Sequence, residues 1–305
     1  MQATPSAPAL RPLGVGDVLD RTFGVYRQRP LLFIGLSAVW YLVLVIVIAV
    51  LAVAAFASAI GAFVQRASPT VDPATLATAA VGFIAFAIVA FLLVILLFSA
   101  QSASLVRAAA LRYLGKDATI GEAFGTGLRA SPRVFLAGVI VFLLLILFWA
   151  AVFIAGALIA AAAQGGAVAF LAIFLGVIVA IVGTFYLGAS WLVAPVIVVV
   201  EGLGPIAALS RSWGLSAGNR WRIIGIQLLL LILNLVLSLL IASVFAVVAS
   251  QRSPAGLVVQ NLVQLASTII WAPVEWLAFT VLYYDLRVRK EAFDLQLAAE
   301  ALPQS

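Results

Sequence analysis

Residues 134–200 read VFLAGVIVFLLLILFWAAVFIAGALIAAAAQGGAVAFLAIFLGVIVAIVGTFYLGASWLVAPVIVVV, with no charged side chain, and the way this stretch divides decides the fold. An α-helix rises about 1.5 Å per residue and about 20 apolar residues cross the hydrocarbon core of a bilayer, so the stretch is too long for one span and long enough for two. Gln164, Gly165 and Gly166 are the natural break, since glycine supplies the backbone freedom of a tight reversal. The stretch therefore predicts a membrane hairpin with spans at 134–163 and 167–200.

Working outward, charge-free or nearly charge-free runs predict four more spans at 31–64, 74–106, 223–251 and 256–284. Arg66, Pro69, Asp72 and Pro73 form the turn between the first two, and the last carries a single charge, Glu275. The fold class expected is an all-α integral membrane protein: a cytoplasmic N-terminal segment at 1–30, a six-helix transmembrane domain at 31–284 and a short cytoplasmic tail at 285–305. The first run is too long for a cleaved signal peptide and reads as a retained span. Several runs exceed the hydrocarbon thickness, so some helices must tilt or project past the headgroups.

Composition agrees. Hydrophobic residues make up 66% of the chain and charged residues 9%, against roughly 25% charged in a soluble domain. The net charge of +6 sits in short loops between apolar runs, a pattern of membrane topology and not of nucleic-acid binding. There is no cysteine and no histidine, which removes thiolate ligands and nucleophiles, the commonest metal ligand and the commonest general base. Gly14 and Gly16 begin a dinucleotide-like fingerprint, but Leu19 stands where its third glycine belongs; no phosphate-binding loop occurs either. No cofactor, no metal and no catalytic constellation are expected.

Of the seventeen basic residues, all but Arg66 and Arg252 fall on one side of this topology, including Arg107, Arg112, Arg129, Arg133, Arg211, Arg222, Arg287 and Arg289. Basic residues near span ends are retained on the cytoplasmic side, so both termini are expected there. Three segments on that side share a pattern: Val15 to Leu19, Ile120 to Phe124 and Leu203 to Ala207. In the first, Val15, Val18, Leu19, Thr22, Phe23 and Tyr26 share a helical face, predicting a helix in the interface plane. In the second, Thr119 and Glu122 make a capping box, with Ile120, Ala123, Phe124, Gly127 and Leu128 as the apolar stripe. In the third, Pro205 suits the first helical position, with Ile206, Leu209 and Trp213 facing lipid or core. The chain thus reads as three repeats of an interfacial amphipathic helix followed by a transmembrane hairpin.

Three stretches carry a family resemblance: Leu10 to Phe23 (LRPLGVGDVLDRTF), Pro195 to Gly202 (PVIVVVEG) with Ala208 to Trp213 (ALSRSW), and Leu282 to Glu291 (LYYDLRVRKE). Through them the chain resembles the bacterial glycerophosphoryl diester phosphodiesterase membrane domain family over essentially its full length. In some members of that family the membrane region precedes a catalytic barrel. Here the resemblance implies the membrane region alone, without the barrel's metal and acid–base residues, and so no activity is carried over.

Glu275 is the leading candidate residue, because an ionisable group inside a span is by default a site. Counting about 15 Å along the helix from Asp285 sets it near the midplane, and similar counts bring Asn234, Ser190, Trp40 and Tyr41 to the same layer. That layer reads either as a proton or substrate site or as interhelical packing glue. Pro195 and Pro273 are candidate hinges or tolerated kinks. Trp191, Trp213, Trp221, Trp271 and Trp276 read as belt or packing residues, and the Gly156/Ala160 and Gly176/Ala180 spacings allow close helix contact. The loops from Arg107 to Arg133 suit anionic lipid headgroups.

The leading functional expectation is a non-enzymatic membrane scaffold or partner subunit of another membrane protein, touching lipid. The alternative is a small-solute or lipid transporter or channel using Glu275. An enzyme working through carboxylates needs paired acids, and Glu201, Glu275 and Asp285 lie at different depths. The Ala, Val and Leu bias with one methionine points to a bacterial plasma membrane.

Overall fold

The computed structural model describes residues 12–65, 73–249 and 254–300, and among them there are ten helices and no strand. In chain order these are α1 (Val15–Gln28), α2 (Pro30–Gln65), α3 (Pro73–Tyr113), α4 (Ile120–Ala162), α5 (Gly166–Trp191), α6 (Ala194–Val200), α7 (Pro205–Ser216), α8 (Arg220–Ala249), α9 (Pro254–Glu291) and α10 (Phe293–Glu300). Six are long and apolar enough to cross a membrane, namely α2, α3, α4, α5 continued by α6, α8 and α9. These are the six expected spans. Arg11, Arg66, Pro69, Asp72 and Arg252 lie outside the described residues, and Pro73 is the first residue of α3 instead of part of the turn.

The hairpin at 134–200 forms as its sequence dictates. Gln164, Gly165 and Gly166 all take positive φ, at 53°, 92° and 76°. The small residues place α4 against α5: a Cβ on Gly176 would sit 3.7 Å from Val152, and Trp149 Nε1 donates across the pair to Thr184 Oγ1 at 2.8 Å.

Four boundaries differ from expectation. First, α4 runs unbroken for 43 residues through Pro132, so the second unit has one helix where an interfacial helix and a span were expected. Proline is tolerated there because only one backbone donor is lost and the flanking turns are well packed. Second, α3 continues past Val106 to Tyr113. Third, the expected fourth span is interrupted after Trp191, with Pro195 opening the first turn of α6, where its missing N–H is harmless. Fourth, only half of the capping box at α4 forms: Thr119 Oγ1 accepts from the Glu122 amide at 3.2 Å, but the Glu122 carboxylate turns instead to Arg107, at 2.9 Å. A charged partner outcompetes the reciprocal cap.

The buried core gathers toward the basic end. It includes Phe33, Leu36 and Trp40 of α2, Leu105 of α3, Ile197 of α6 and Leu282 of α9. At the other end the helices expose large apolar side chains such as Phe83, Phe91, Leu158 and Phe170, as a lipid-facing surface requires. The central element is α9, which packs against α1, α2, α3 and α8.

Against expectation, α1 does not lie free in the interface plane. Its first turn is tied to α9 where Leu13 N–H donates to Asp285 Oδ1 at 2.7 Å, and near its end Tyr26 OH donates to the Ile270 carbonyl at 3.3 Å. It therefore runs antiparallel along the last turns of α9 and buries Val18, Thr22 and Val25. Burial pushes the Tyr26 phenol above its ordinary pKa. By contrast α7 keeps Ile206 and Trp213 exposed while burying Leu209, as an interfacial helix should.

Candidate functional site: a polar cavity around Glu275

The site is built on one face of α9. Gln264, Ser267, Thr268, Trp271 and Glu275 recur at three- and four-residue spacing, so they line a single stripe leading to Glu275. The stripe borders a cavity of about 340 Å³ whose other walls are Tyr41 of α2, Phe98 and Gln101 of α3, and Asn234 and Ser238 of α8. A second cavity of about 390 Å³ lies between α5, α8 and α9, lined by Phe185, Gln227 and Phe279 among others. Asn234, Trp271 and Glu275 line both.

Of the residues assigned to one polar layer, the structure brings together Glu275, Asn234 and Tyr41 and leaves out Ser190 and Trp40. Trp40 faces the other way, donating from Nε1 to Ser104 Oγ at 2.9 Å and stacking on Phe124. Ser190 is fully buried at the interruption between α5 and α6, where its carbonyl accepts from Ser212 Oγ at 2.8 Å and Ser216 Oγ at 3.4 Å. Its role is therefore to anchor α7 to a broken helix. Pro273 sits buried within continuous α9, two residues from Glu275, and withdraws the amide that would meet the Ile269 carbonyl. Pro195 lies in the first turn of α6, just after the interruption that follows Trp191, and Pro273 is enclosed by continuous packed helix.

Gly127 of α4 meets α3 so closely that a Cβ there would fall 2.5 Å from the Ala100 carbonyl oxygen. This contact aligns the exposed Arg129 with the turn of α3 that carries Gln101. The Glu275 cavity thus starts at this turn of α3 and extends along α9 toward Gln264.

Sequence reasoning missed Gln101, Gln227 and Gln264. The signal was available for Gln264 in the i, i+4, i+7, i+11 spacing to Glu275; for Gln101 it was hidden in the run Ser99-Ala100-Gln101-Ser102, which alone does not say which face is inward. Gln101 is only 4% exposed and lies beside the Tyr41 phenol, with no acceptor at hydrogen-bond geometry for its Nε2.

The other acids near the basic end are already held by arginines. Asp285 is enclosed and pairs with Arg222 at 2.6 Å and Arg289 at 3.1 Å. Glu201 pairs with Arg211 and accepts from Tyr283 OH at 2.7 Å, while Glu291 pairs with Arg211 at 2.8 Å and Arg287 at 3.0 Å. The hydrogen bond from Arg211 to Glu201, joined by that to Glu291, holds the guanidinium well above its ordinary pKa despite partial burial. The stretches that carried the family resemblance meet here, Leu13 against Asp285 and Glu201 against both Arg211 and Tyr283. Among the described residues no group of three or more His, Cys, Asp or Glu side chains is arranged to hold a metal ion. Glu275 lines its cavities without an arginine or lysine among their lining residues.

No curated protein and no solved structure matches the chain. A family model described as a domain of unknown function (DUF7847) matches residues 122–286, which run from the first turn of α4 into the last turns of α9 and include Asn234 and Glu275 but not Tyr41 or Gln101. That match covers more than half of the sequence, and the chain belongs to this family, DUF7847.

Proposed function

We propose that this multi-pass membrane protein provides a polar passage for a small solute or lipid headgroup, with Glu275 as its binding residue. The observation that carries the reading is the pair of cavities that share Asn234, Trp271 and Glu275. One reaches toward the basic end through Gln227, about five residues from Arg222, and the other toward the opposite end through Gln264, about eleven residues from Glu275. Ionisable and amide groups on inward helix faces mark solute paths in membrane proteins, because lipid offers them no compensation. A scaffold needs neither the lane nor the carboxyl, so the geometry moves the balance from scaffold to passage.

The role is non-enzymatic in this reading. Glu201, Asp285 and Glu291 are neutralised by arginines, which leaves one carboxyl in the cavity and no acid–base pair. The resemblance to the glycerophosphoryl diester phosphodiesterase membrane domain family supports a membrane role without catalysis. The concentration of arginines at one end supports cytoplasmic termini in a bacterial plasma membrane.

Because the chain has no cysteine, single substitutions report accessibility without a background. Cysteine in place of Gln264 is expected to react with a membrane-impermeant thiol reagent from the outside, and in place of Gln227 from the cytoplasmic side. Cysteine in place of the buried Ser190 is expected to stay unlabelled. Absence of labelling at both glutamine positions would sink the passage and restore the scaffold reading.

A further inference from the structure

We infer that the Glu275 cavity takes a small organic cation that also carries an oxygen acceptor, an ammonium alcohol of the choline or ethanolamine class. This rests on the passage reading and names its ligand. Among the residues lining the two cavities the titratable side chains are Glu275 and the phenol of Tyr41, and the remaining polar groups are neutral amides and hydroxyls. The site therefore offers one acidic group and no basic one, and a bound cation would favour its ionised form. An anion would find no counter-charge and a carboxylate to repel it.

The walls decide between kinds of cation. Tyr41, Trp271 and Trp276 line one cavity with Glu275, and Phe185, Trp271 and Phe279 line the other with it. Aromatic faces attract alkylammonium groups, which shed water readily, and are a common lining for quaternary ammonium ligands. A hard metal ion instead requires several oxygen ligands, and one carboxylate among amides and rings is a poor cage for it. The volumes, about 340 and 390 Å³, fall at the small end of the roughly 300–1,000 Å³ range of small-molecule sites.

Gln101 supplies the second point of recognition. It is 4% exposed, it lines the cavity with Glu275, and its Nε2 donor lies beside the Tyr41 phenol without an acceptor at hydrogen-bond geometry. A buried donor left unsatisfied is destabilising, and a ligand oxygen in the cavity relieves it. The ammonium then sits against Glu275 and the indoles, with the hydroxyl or ester oxygen at Gln101. This chemistry is shared by a free amino alcohol and by a lipid headgroup.

The test uses the full chain in phosphatidylglycerol nanodiscs, with choline, ethanolamine and tetramethylammonium as probes and inorganic phosphate as the anionic control. Binding is read by quenching of tryptophan fluorescence. Saturable choline binding is expected, weakened roughly tenfold or more in Glu275→Gln, the loss of one charge-assisted contact. In Gln101→Leu, choline is expected to weaken several-fold while tetramethylammonium, which has no oxygen, binds as before; that unchanged binding also shows the variant to be folded. Discs containing phosphatidylethanolamine separate the sources: reduced apparent affinity for soluble ethanolamine assigns the site to the headgroup, and unchanged affinity assigns it to the free solute. A wild-type chain that binds none of the three cations, or that binds phosphate in preference, overturns the inference. If cysteines at 227 and 264 still label from opposite sides in that case, the passage stands and only its ligand class falls.

Discussion

Leu13 and Asp285 lie 272 residues apart in sequence, yet the backbone N–H of the first donates to the carboxylate of the second at 2.7 Å. The same Asp285 pairs with Arg222 and Arg289, and both arginines also donate to the Leu13 carbonyl, at 2.5 and 2.6 Å. One buried carboxylate thus locks the start of α1, the start of α8 and the end of α9 together. Removing one partner of such a cluster strands the other charges, at about 3 kcal/mol or more. Asp285→Ala is expected to lower unfolding stability by that order in detergent titration and to open the segment before Val15 to protease. Asp285→Asn, which keeps an acceptor for Leu13, should lose less.

The crossing of α3 and α4 tolerates no side chain at Gly127. A Cβ there would run into the Ser104 hydroxyl as well as approach the Ala100 carbonyl, and the Ser104 hydroxyl is itself fixed by Trp40. Overpacking of this kind costs about 1–3 kcal/mol, and here backbone must move. Gly127→Ala is expected to destabilise by at least that much, whereas Gly138→Ala on the same helix, where a Cβ meets nothing within 4 Å, should be close to neutral. Equal melting temperatures for the two variants would contradict the crossing.

Where α5 gives way to α6, the Ser190 carbonyl depends on two hydroxyls of α7. Ser212→Ala is expected to cost about 1–2 kcal/mol by leaving that buried acceptor to the longer Ser216 bond alone, and Ser212→Ala with Ser216→Ala more than either. A double-variant cycle in thermal unfolding measures the coupling, and strict additivity would mean that the two serines do not share the carbonyl.

The spans were legible because a lipid-facing helix must be apolar along its whole length, and Gln164, Gly165 and Gly166 punctuate the one ambiguous run. The inward faces were harder to read. Trp40 and Tyr41 are adjacent, and a helix turns by about 100° between neighbours, so only one could face Glu275; nothing in an apolar sequence of this kind says which. Ser190 was drawn into the polar layer by depth alone, because the break after Trp191 leaves no mark except Pro195, a residue equally at home inside a kinked span. Hydrophobicity does not distinguish lipid from protein interior either, so the apolar runs do not mark where a lipid-facing surface gives way to the packed basic end. The arginine pairs at that end were invisible until the fold joined segments as distant as Leu13 and Asp285.

Glu275 separates the functional reading from the structural one through the sign of a stability change. A carboxyl retained as packing glue would hydrogen-bond between helices, and its removal would weaken the bundle. Glu275 instead lines cavities whose other polar groups are neutral, among them the buried amide Gln101, whose Nε2 meets no acceptor at hydrogen-bond geometry. Groups kept for binding are held at the expense of stability, so replacing this one by a neutral side chain of similar shape should relieve desolvation without breaking a contact. Glu275→Gln and Glu275→Met are therefore expected to raise the unfolding free energy of the ligand-free protein by about 1 kcal/mol while weakening solute binding roughly tenfold or more. A loss of stability in both variants would return Glu275 to a structural role, and with it the cavities to mere packing defects between tilted helices.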